Sequence, residues 1–398
     1  MIAVGIDVSK GKSTVAVLSG LGELLLSPRD YPHKEDSLNE LCTWLHSLND
    51  EVRIALEFTG YYHYSIRDKL IREGFFVSVV NPYLMKKFND GSVRKGKSDK
   101  KDAIKIATYC VEKRNHLKPW NYLGKPYETL KFLSRQYHQM ISLKTKQKVQ
   151  LDNLFDLVMP DVKKVFLLTN RPTSCLALYD FVEKFQSWKV IKDMTYSTFE
   201  KRFLSYMKKK GYRPNASKAQ RLYNIAQNSL LPREANYCTS LILKQRIQLA
   251  KSTESATVAI LKQMQELVKT LPEYELVHSF NGVGDILTPL LIAEIGDIRR
   301  FTSGKALNAY AGNDAPPFQS GTYLGTRRHI SKRGSPFLRK VGYEVILALK
   351  ISKPIQDPVY QFILKKQAEG KPKMVANMAG LNKFLRIYFA RVMELFAI

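Results

Sequence analysis

The N-terminal part of the chain alternates short apolar runs with segments of helical periodicity. Residues 2–9 form an apolar, β-branched run, and two shorter runs follow it after glycine-containing turns. This spacing is typical of antiparallel strands joined by tight turns. Leucines then recur every three or four residues, which predicts a helix. The predicted strands are residues 2–9, 14–18, 23–26, 52–56 and 75–80, and the predicted helices are residues 38–48 and 62–73, with another beginning at Pro82.

Three antiparallel strands, a helix, and then strands alternating with helices is the order of a ribonuclease H-like domain. We therefore predict an α/β domain of this type over residues 1–118. Ser98 has the character of a helix N-cap, and the helix that it begins carries Asp99 and Asp102.

The predicted order of strands and helices suggests a shared role for four carboxylates. Asp7 lies on the first, central strand, and Glu57 lies at the end of the fourth, its neighbour in this fold. Asp99 and Asp102 are three residues apart and share one helix face. Together the four can hold two Mg²⁺ ions about 4 Å apart, as in-line phosphoryl transfer requires. Each alone has an ordinary explanation as a turn cap, a surface charge or a helix-start residue, but their conjunction favours a metal site.

Longer helices dominate the middle of the chain. Residues 127–156 and 238–271 are long segments with a broken apolar stripe, and they are predicted to pair as an antiparallel coiled coil. We predict a helical arm over residues 119–272, with a helical insertion at about 160–231. Lys208, Lys209 and Lys210 in this insertion are interpreted as a solvated charge run.

A mostly α-helical domain is predicted over residues 273–398, with helices at 301–312, 336–350 and 381–396. Residues 276–295 resemble a helix-hairpin-helix, in which the backbone N–H groups of Gly282 and Gly284 can meet a phosphate. That signal is weak by itself, because a Gly-x-Gly between helices is usually only a turn.

A serine segment, residues 311–340, follows. Pro316 and Pro317 stiffen the approach to Ser320, and a basic cluster comes next. The cluster consists of Arg327, Arg328, His329, Lys332 and Arg333. A serine beside guanidinium groups that grip a phosphate is a candidate nucleophile for a phosphodiester. The alternative is a surface loop with a turn serine and solvated charges, and Ser331 and Ser335 are rival nucleophiles.

Composition narrows the function. The formal charge of +27 and pI of about 9.7 favour a polyanionic partner such as nucleic acid. The hydrophobic share of 44% is that of a soluble globular protein. No apolar run reaches transmembrane length, and the first residues do not have the pattern of a signal peptide. The four cysteines are isolated, so neither disulfides nor a zinc site are expected, and a reducing cytoplasm fits.

The chain resembles the DEDD-type insertion-sequence transposases with a RuvC-like N-terminus, a group that includes bridge-RNA-guided recombinases and Piv-type DNA invertases. The N-terminal matches are GIDVSKGKSTVAVL around Asp7, ALEFTG around Glu57, and GKSDKKDA around Asp99 and Asp102. The C-terminal matches are NGVGDILTPLLIAEIGDIRRF, AYAG, QSG around Ser320, and ISKRGSPFLRK. They follow one another in the expected order and span both ends of the chain.

The resemblance implies a site-specific recombinase of a bacterial or archaeal cytoplasm. Its four carboxylates bind Mg²⁺, with Mn²⁺ as a substitute, and Ser320 attacks a DNA phosphate to give a phosphoserine. The acidic domain of one subunit joins the serine domain of another, so a homo-oligomer, dimer or tetramer, is implied. Double-stranded donor and target DNA and a structured non-coding guide RNA are the implied partners. The residues expected to contact nucleic acid are Arg94, Lys95, Lys97, Gly282, Gly284, Arg327, Arg328, Lys332 and Arg333.

Other functions remain open at this point. A nuclease that resolves Holliday junctions would need the carboxylates and water but not Ser320. A protein-directed DNA invertase would need no RNA. An actin-like kinase or ATPase is a third alternative, because residues 5–17 also resemble a phosphate loop, but the chain shows no second Asp-x-Gly loop and no glycine-rich adenosine site.

Overall fold

Two units make up the chain, Met1–Tyr122 and Leu123–Ile398. The computed structural model describes residues 1–89, 98–120, 124–166, 173–230, 236–316, 319–320, 323–324 and 329–397. Within these ranges, no helix combines the length and the apolarity that a membrane crossing requires. The domain boundaries predicted at 118 and 272 stay predictions.

A mixed sheet forms the centre of the first unit. Its strands are β1 (Ile2–Ser9), β2 (Lys12–Ser19), β3 (Leu24–Pro32), β4 (Val52–Glu57) and β5 (Phe76–Val80). The strand order is β3-β2-β1-β4-β5, with β1 antiparallel to β2 and parallel to β4. This is the ribonuclease H order, which confirms the predicted RuvC-like α/β domain. β3 continues six residues beyond the predicted end at 26, because its polar residues keep pairing with β2.

Helices cover both faces of this sheet. They are α1 (Glu35–His46), α2 (Tyr64–Arg72), α3 (Pro82–Asn89) and α4 (Asp99–Glu112). Ile6 and Ile54 point toward α1 and α2 and share a core with Leu41 and Leu70. Side chains alternate across a strand, so Ala3 and Ala55 point the other way and pack near α4.

A glycine sets the distance between α4 and the sheet. A β-carbon on Gly5 would lie 2.2 Å from the backbone nitrogen of Ala107 and 2.3 Å from the backbone oxygen of Ala103. Real β-carbons do not approach other atoms so closely. The backbone of α4 therefore lies directly against β1, and only glycine fits at this position.

Replacing Gly5 with Ala is expected to lower the free energy of unfolding by at least about 1–3 kcal/mol, because the added methyl group meets backbone atoms that cannot rotate away. Chemical denaturation followed by circular dichroism measures this change. The matched control is Gly284→Ala, since nothing lies within 4 Å of the carbon added there. Equal stability of the Gly5→Ala variant and the control would contradict the close contact.

Two long helices and several short ones begin the second unit. They are α5 (Lys125–Val158), α6 (Val162–Phe166), α7 (Thr173–Phe185), α8 (Trp188–Lys192), α9 (Tyr196–Lys209), α10 (Ala216–Asn228) and α11 (Tyr237–Val268). Arg246 donates to Gln150 at 2.7 Å, and Lys144 pairs with Glu254. Contacts that run in opposite directions along the chain show that α5 and α11 are antiparallel. The coiled-coil geometry predicted for this pair stays a prediction.

The short helices between them enclose a core of their own. We name α6 to α10, with the adjoining ends of α5 and α11, the helical tip. Its centre is aromatic, with Phe181, Trp188, Phe199 and Phe203 all at most 1% exposed. The helical character predicted for residues 160–231 is confirmed for the described part of that range.

Further helices close the second unit. The elements are α12 (Tyr274–His278), α13 (Leu287–Ile295), α14 (Gly304–Tyr310), β6 (Gln319–Ser320), β7 (Tyr323–Leu324), α15 (Pro336–Ser352), α16 (Pro358–Ala368) and α17 (Lys373–Phe396). α16 was not predicted, although Asp357 caps it by accepting from the backbone of Val359 and Tyr360. α17 begins eight residues before the predicted start at 381.

A buried ion pair ties α5 to α13. Glu294 is 0% exposed and accepts hydrogen bonds from Ser134 and Arg135, both at 2.9 Å. The guanidinium of Arg135 also lies 3.6 Å from the centre of the Phe337 ring. Burial of a charge is tolerated only when its partners are in place, so this group fixes α13 and the start of α15 against α5.

Candidate active site

Asp7 and Glu57 lie at the same end of two neighbouring parallel strands. Ile6 of β1 is level with Leu56 of β4, so the next residue of each strand is the acidic one. Both carboxylates are half-buried. They lie at the carboxyl edge of the sheet, where the strands of an open α/β domain present their functional groups.

Both carboxylates also share one face of the sheet. Ile6 and Leu56 belong to the core under α1 and α2, so the following residues point to the opposite side. Glu57 is paired with Val80, which packs in the core on the α4 side. Asp7 continues the face of Ala3 and Gly5, against which α4 lies.

The direction of α4 places Asp99 and Asp102 at this same edge. Cys110, near the end of α4, donates its thiol to the backbone oxygen of Arg53 at the start of β4. Burial raises the pKa of this thiol to about 12, so it stays protonated as a donor. Since α4 crosses Gly5 and ends near the start of β4, its first turn lies toward Asp7.

The start of α4 is capped as predicted. The hydroxyl of Ser98 accepts a hydrogen bond from the backbone of Lys101 at 3.3 Å. This cap fixes the first turn, which carries both aspartates. Asp102 is half-buried, and Lys105 lies 3.4 Å from its carboxylate.

A further carboxylate stands in the same row. Asp7 is paired with Thr14 of β2, and Thr14 is paired with Asp30 of β3. Asp30 accepts from Lys12 at 2.6 Å and from Thr14 at 2.7 Å. The hydrogen bond from Lys12, followed by that from Thr14, lowers the pKa of Asp30. Asp30 therefore lies near this edge of the sheet with its carboxylate paired to the Lys12 ammonium.

The donor set fits Mg²⁺ in kind, because carboxylate oxygens are the ligands that this hard cation prefers. In the part of the chain that the structure describes, no three His, Cys, Asp or Glu side chains are close enough to hold one ion together. The strand pairing and the direction of α4 place Asp7, Glu57, Asp99 and Asp102 toward one face and one edge of the sheet, but not within reach of a single ion. Their role as metal ligands stays a prediction.

Ser320 lies at the end of a short ladder. It is paired with Tyr323, and Gln319 is paired with Leu324, so β6 and β7 are antiparallel. The tight turn predicted at Ser320 stays a prediction. Residues 321–322 and the Ser320 side chain lie outside the described part of the chain.

Residues on the two sides of Ser320 in the chain are hydrogen-bonded to each other. The backbone nitrogen of Ser331 donates to the oxygen of Asp314 at 2.7 Å, and that of Lys332 donates to the oxygen of Gly312 at 3.0 Å. A β-carbon on Gly334 would lie 2.0 Å from the backbone oxygen of Tyr310. Residues 310–314 and 331–334, before and after Ser320 in the chain, are therefore held together by close backbone contacts.

Both rival serines have structural roles. Ser331 donates its hydroxyl to the carboxylate of Asp314. Ser335 caps α15, accepting from the backbone of Leu338 at 3.1 Å. These bonds give both hydroxyls a structural role, and the assignment of Ser320 as the nucleophile stays a prediction.

The predicted nucleic-acid contacts divide into two groups. Arg94, Lys95, Lys97, Arg327 and Arg328 lie outside the described residues. Lys332 and Arg333 are exposed beside the base of the serine loop.

One of the two hairpin glycines has a local explanation. Gly282 has a positive φ of 78°, and a β-carbon there would lie 2.9 Å from the backbone oxygen of Val345. The backbone oxygen of Gly284 accepts from the backbone and hydroxyl of Thr288, which any residue could do. Backbone conformation and packing thus explain the glycine at position 282, and phosphate contact by Gly282 and Gly284 stays a prediction.

Two family models match this chain. A transposase model for DEDD enzymes of IS110 elements matches residues 4–160, which include Asp7, Glu57 and α4. A model for transposases of the IS116/IS110/IS902 family matches residues 274–361, which include Ser320. The chain belongs to the IS110/IS116 family of transposases. This membership confirms the predicted transposase family and disfavours the actin-like kinase.

This transposase is similar to an uncharacterized 44.8 kDa protein of insertion element IS116 from Streptomyces clavuligerus, at 23% identity across 93% of this chain and 89% of that protein. It is also similar to the pilin gene-inverting protein of Moraxella bovis, at 27% identity across 33% of this chain and 42% of that protein.

Structures of T. thermophilus RuvC, alone and with a Holliday junction substrate, are similar to 30% of the chain at 18% and 17% identity. The similarity covers 100% and 99% of those RuvC chains, with TM-scores of 0.25 and 0.24. The fold assignment rests on the strand order and not on these two structures.

Tyr310 is a candidate functional residue of this transposase that the sequence did not predict. Tyr310 is half-buried at the base of the serine loop, with Lys131 at 3.4 Å from its hydroxyl and Arg300 stacked at 4.4 Å from its ring centre. Burial raises its pKa, but Lys131 and Arg300 outweigh that effect and lower it overall. Nothing in the local sequence signals this, because Lys131 is 179 residues away.

Proposed function

We propose that this transposase cuts and rejoins DNA through a phosphoserine on Ser320, with Mg²⁺ held by Asp7, Glu57, Asp99 and Asp102, and Mn²⁺ able to replace it. The observation that carries the proposal is the placement of these carboxylates. They come from three separate segments, yet the strand pairing and the direction of α4 bring all of them to one face and one edge.

The proposed reaction balances without an external energy source. The Ser320 oxygen forms a bond to phosphorus, its proton passes to solvent or a nearby base, and the deoxyribose oxygen leaves. Attack by a hydroxyl of a new strand then reverses the exchange and frees Ser320. Because the phosphodiester energy is kept in the serine ester, rejoining needs no ATP.

The carboxylates and the exposed cations have distinct tasks in this proposal. Mg²⁺, when bound, would supply charge stabilisation and orientation at the phosphate. Lys332 and Arg333 would grip DNA phosphates beside the serine loop. A homo-oligomer is part of the proposal, because exchanging strands between donor and target DNA requires more than one cutting centre.

The chemistry is tested by denaturing a stalled reaction and asking whether protein stays attached to a DNA end. An adduct supports the proposal. Complete strand cutting with no adduct at any time would instead support a Holliday-junction nuclease that uses water.

We also propose that target choice is made by a structured guide RNA. The chain has no zinc-finger, basic-zipper or clear helix-turn-helix pattern, and its positive charge is spread over every region. Such a distribution suits gripping the backbone of a large folded or hybrid nucleic acid, in which base pairing supplies the sequence information.

Protein purified with its flanking non-coding RNA and then treated with ribonuclease is expected to lose site-specific recombination. Adding that RNA back should restore it, whereas an RNA of scrambled sequence should not. Recombination assays on paired donor and target DNA measure this. Undiminished recombination without RNA would favour a protein-directed invertase, the alternative that the partial similarity to the pilin gene-inverting protein supports.

A further inference from the structure

Several aromatic side chains are exposed directly after Glu57. Phe58, Tyr61, Tyr62 and Tyr64 are 46%, 51%, 51% and 40% exposed. Tyr83, at the start of α3, is 43% exposed. We name these five residues the aromatic platform. Large apolar groups that contribute little to a core, clustered beside a proposed catalytic group, indicate a binding surface.

Two loops at the carboxyl edge of the sheet supply the platform. Phe58 donates its backbone N–H to Val80 at the end of β5, at 3.1 Å. The loop after β4 is thereby joined to the loop that leads into α3 and Tyr83. A turn at Gly60, with φ of 56° and a hydrogen bond from Tyr62 to Thr59, presents Tyr61 and Tyr62 at its outer side.

A buried stack supports these rings from below. His63 is 0% exposed, and its ring centre lies 4.9 Å from that of Phe58 and 4.8 Å from that of Tyr64. Arg67 is 2% exposed and lies between the rings of Tyr64 and Trp120, at 4.5 and 4.6 Å. Burial, followed by the charge of Arg67, lowers the pKa of His63 to about 4, so a neutral ring supports the platform at physiological pH.

We propose that the aromatic platform stacks unpaired bases of the DNA strand whose phosphate lies at Glu57. This inference rests on the proposed function, because it takes DNA as the substrate at this edge. In an intact duplex the base faces are covered by their neighbours, so only opened DNA offers them to tyrosine rings. Stacking on protein aromatics then offsets part of the cost of opening.

Charge favours a nucleic acid over an apolar protein partner. Lys86 and Lys87 are exposed on the same helix as Tyr83, and the Lys87 ammonium lies 5.3 Å from the Tyr83 ring centre. Cations interleaved with aromatic rings are typical of surfaces that bind single strands, where phosphates and bases are contacted together. DNA is favoured over RNA by the position of the platform, which begins at the residue after Glu57.

The test compares the Tyr61→Ala/Tyr62→Ala double variant with Tyr61→Phe/Tyr62→Phe, which keeps the rings. Each binds a fluorescent single-stranded DNA 20-mer containing 2-aminopurine, the same DNA as a full duplex, and an RNA of the same sequence, all in EDTA. The alanine variant should bind the single-stranded DNA roughly tenfold more weakly, as loss of base stacking predicts. It should also lose 2-aminopurine quenching, while duplex binding changes less than about twofold.

The phenylalanine variant should behave as the wild type. Tyr237→Ala is the control, because Tyr237 is an even more exposed tyrosine, at 80%, and lies on α11 outside the aromatic platform. Thermal unfolding checks that the alanine variant is folded. Equal losses for single strand and duplex, no loss at all, or a loss confined to RNA would each overturn the inference.

Failure of this inference is distinct from failure of the proposed function. Binding in EDTA needs no strand cutting, so it reports on the platform alone. A wild-type protein that forms the serine adduct but shows no stacking would refute only the platform. A protein that stacks bases but never cuts DNA would refute the proposed chemistry.

Discussion

Replacement of Asp7 with Ala is expected to reduce DNA strand cleavage on the order of a thousandfold or more, because the reacting phosphate loses a ligand for its metal. The same is expected for Glu57→Ala, Asp99→Ala and Asp102→Ala. Asp7 lies half-buried in the last third of β1 and is not part of the two hydrophobic cores of the first unit. The variant should therefore unfold at a temperature close to that of the wild type.

Cleavage of labelled donor and target DNA on denaturing gels measures this loss. EDTA should stop the wild-type reaction, and Mg²⁺ or Mn²⁺ should restore it. Asp36→Asn is the control, since Asp36 is an exposed carboxylate in the first turn of α1, which packs on the opposite face of the sheet. Recombination at the normal rate by the Asp7 variant would end the assignment of this site.

Ser320→Ala is expected to abolish the covalent protein–DNA adduct while DNA binding stays within about twofold. The reason is chemical, because removal of the hydroxyl leaves no oxygen to bond to phosphorus, whereas the cations that grip the DNA backbone remain. The adduct is measured as a band of reduced mobility after denaturation and nuclease trimming of a stalled reaction.

Ser331→Ala is the matched control for this prediction. It removes a hydroxyl that donates to Asp314 at the base of the same loop, so it should loosen the loop but keep the adduct. An adduct that survives in Ser320→Ala would move the nucleophile elsewhere. Tyr310 would then be the first residue to replace, since Lys131 and Arg300 lower its pKa and ease its deprotonation.

Much of the first unit could be predicted because its signals are local. Short apolar, β-branched runs bounded by turns located the strands, and Ser98 marked the start of α4. The placement of Asp7 and Glu57 followed from the strand order, since β1 and β4 are parallel neighbours and each carries its acidic residue toward its carboxyl end. The sequence pattern did not predict the second half of β3. Its polar residues pair with β2, but apolar and polar residues do not alternate there. Asp30 was missed for that reason.

The serine region was less predictable because its geometry depends on distant partners. A capping role could be predicted for the rival serines, and Ser335 does cap α15, but the bond from Ser331 to Asp314 spans 17 residues and has no local signal. The pairing of Glu294 with Arg135 joins residues 159 positions apart. Contacts between residues so far apart in the chain leave no local pattern in the sequence.

Because α5 and α11 are antiparallel, the helical tip can be replaced or deleted without changing the order of the remaining elements. The chain enters and leaves the helical tip side by side, so the tip is a removable block on a stem of two helices. The two family matches, residues 4–160 and 274–361, leave out α6 to α10 of the helical tip together with α11. Exchange or deletion of the tip, with a short turn joining the shortened helices, would leave both ends of the transposase in their original order. A replacement of the tip at this place would therefore change no residue among the four carboxylates or around Ser320.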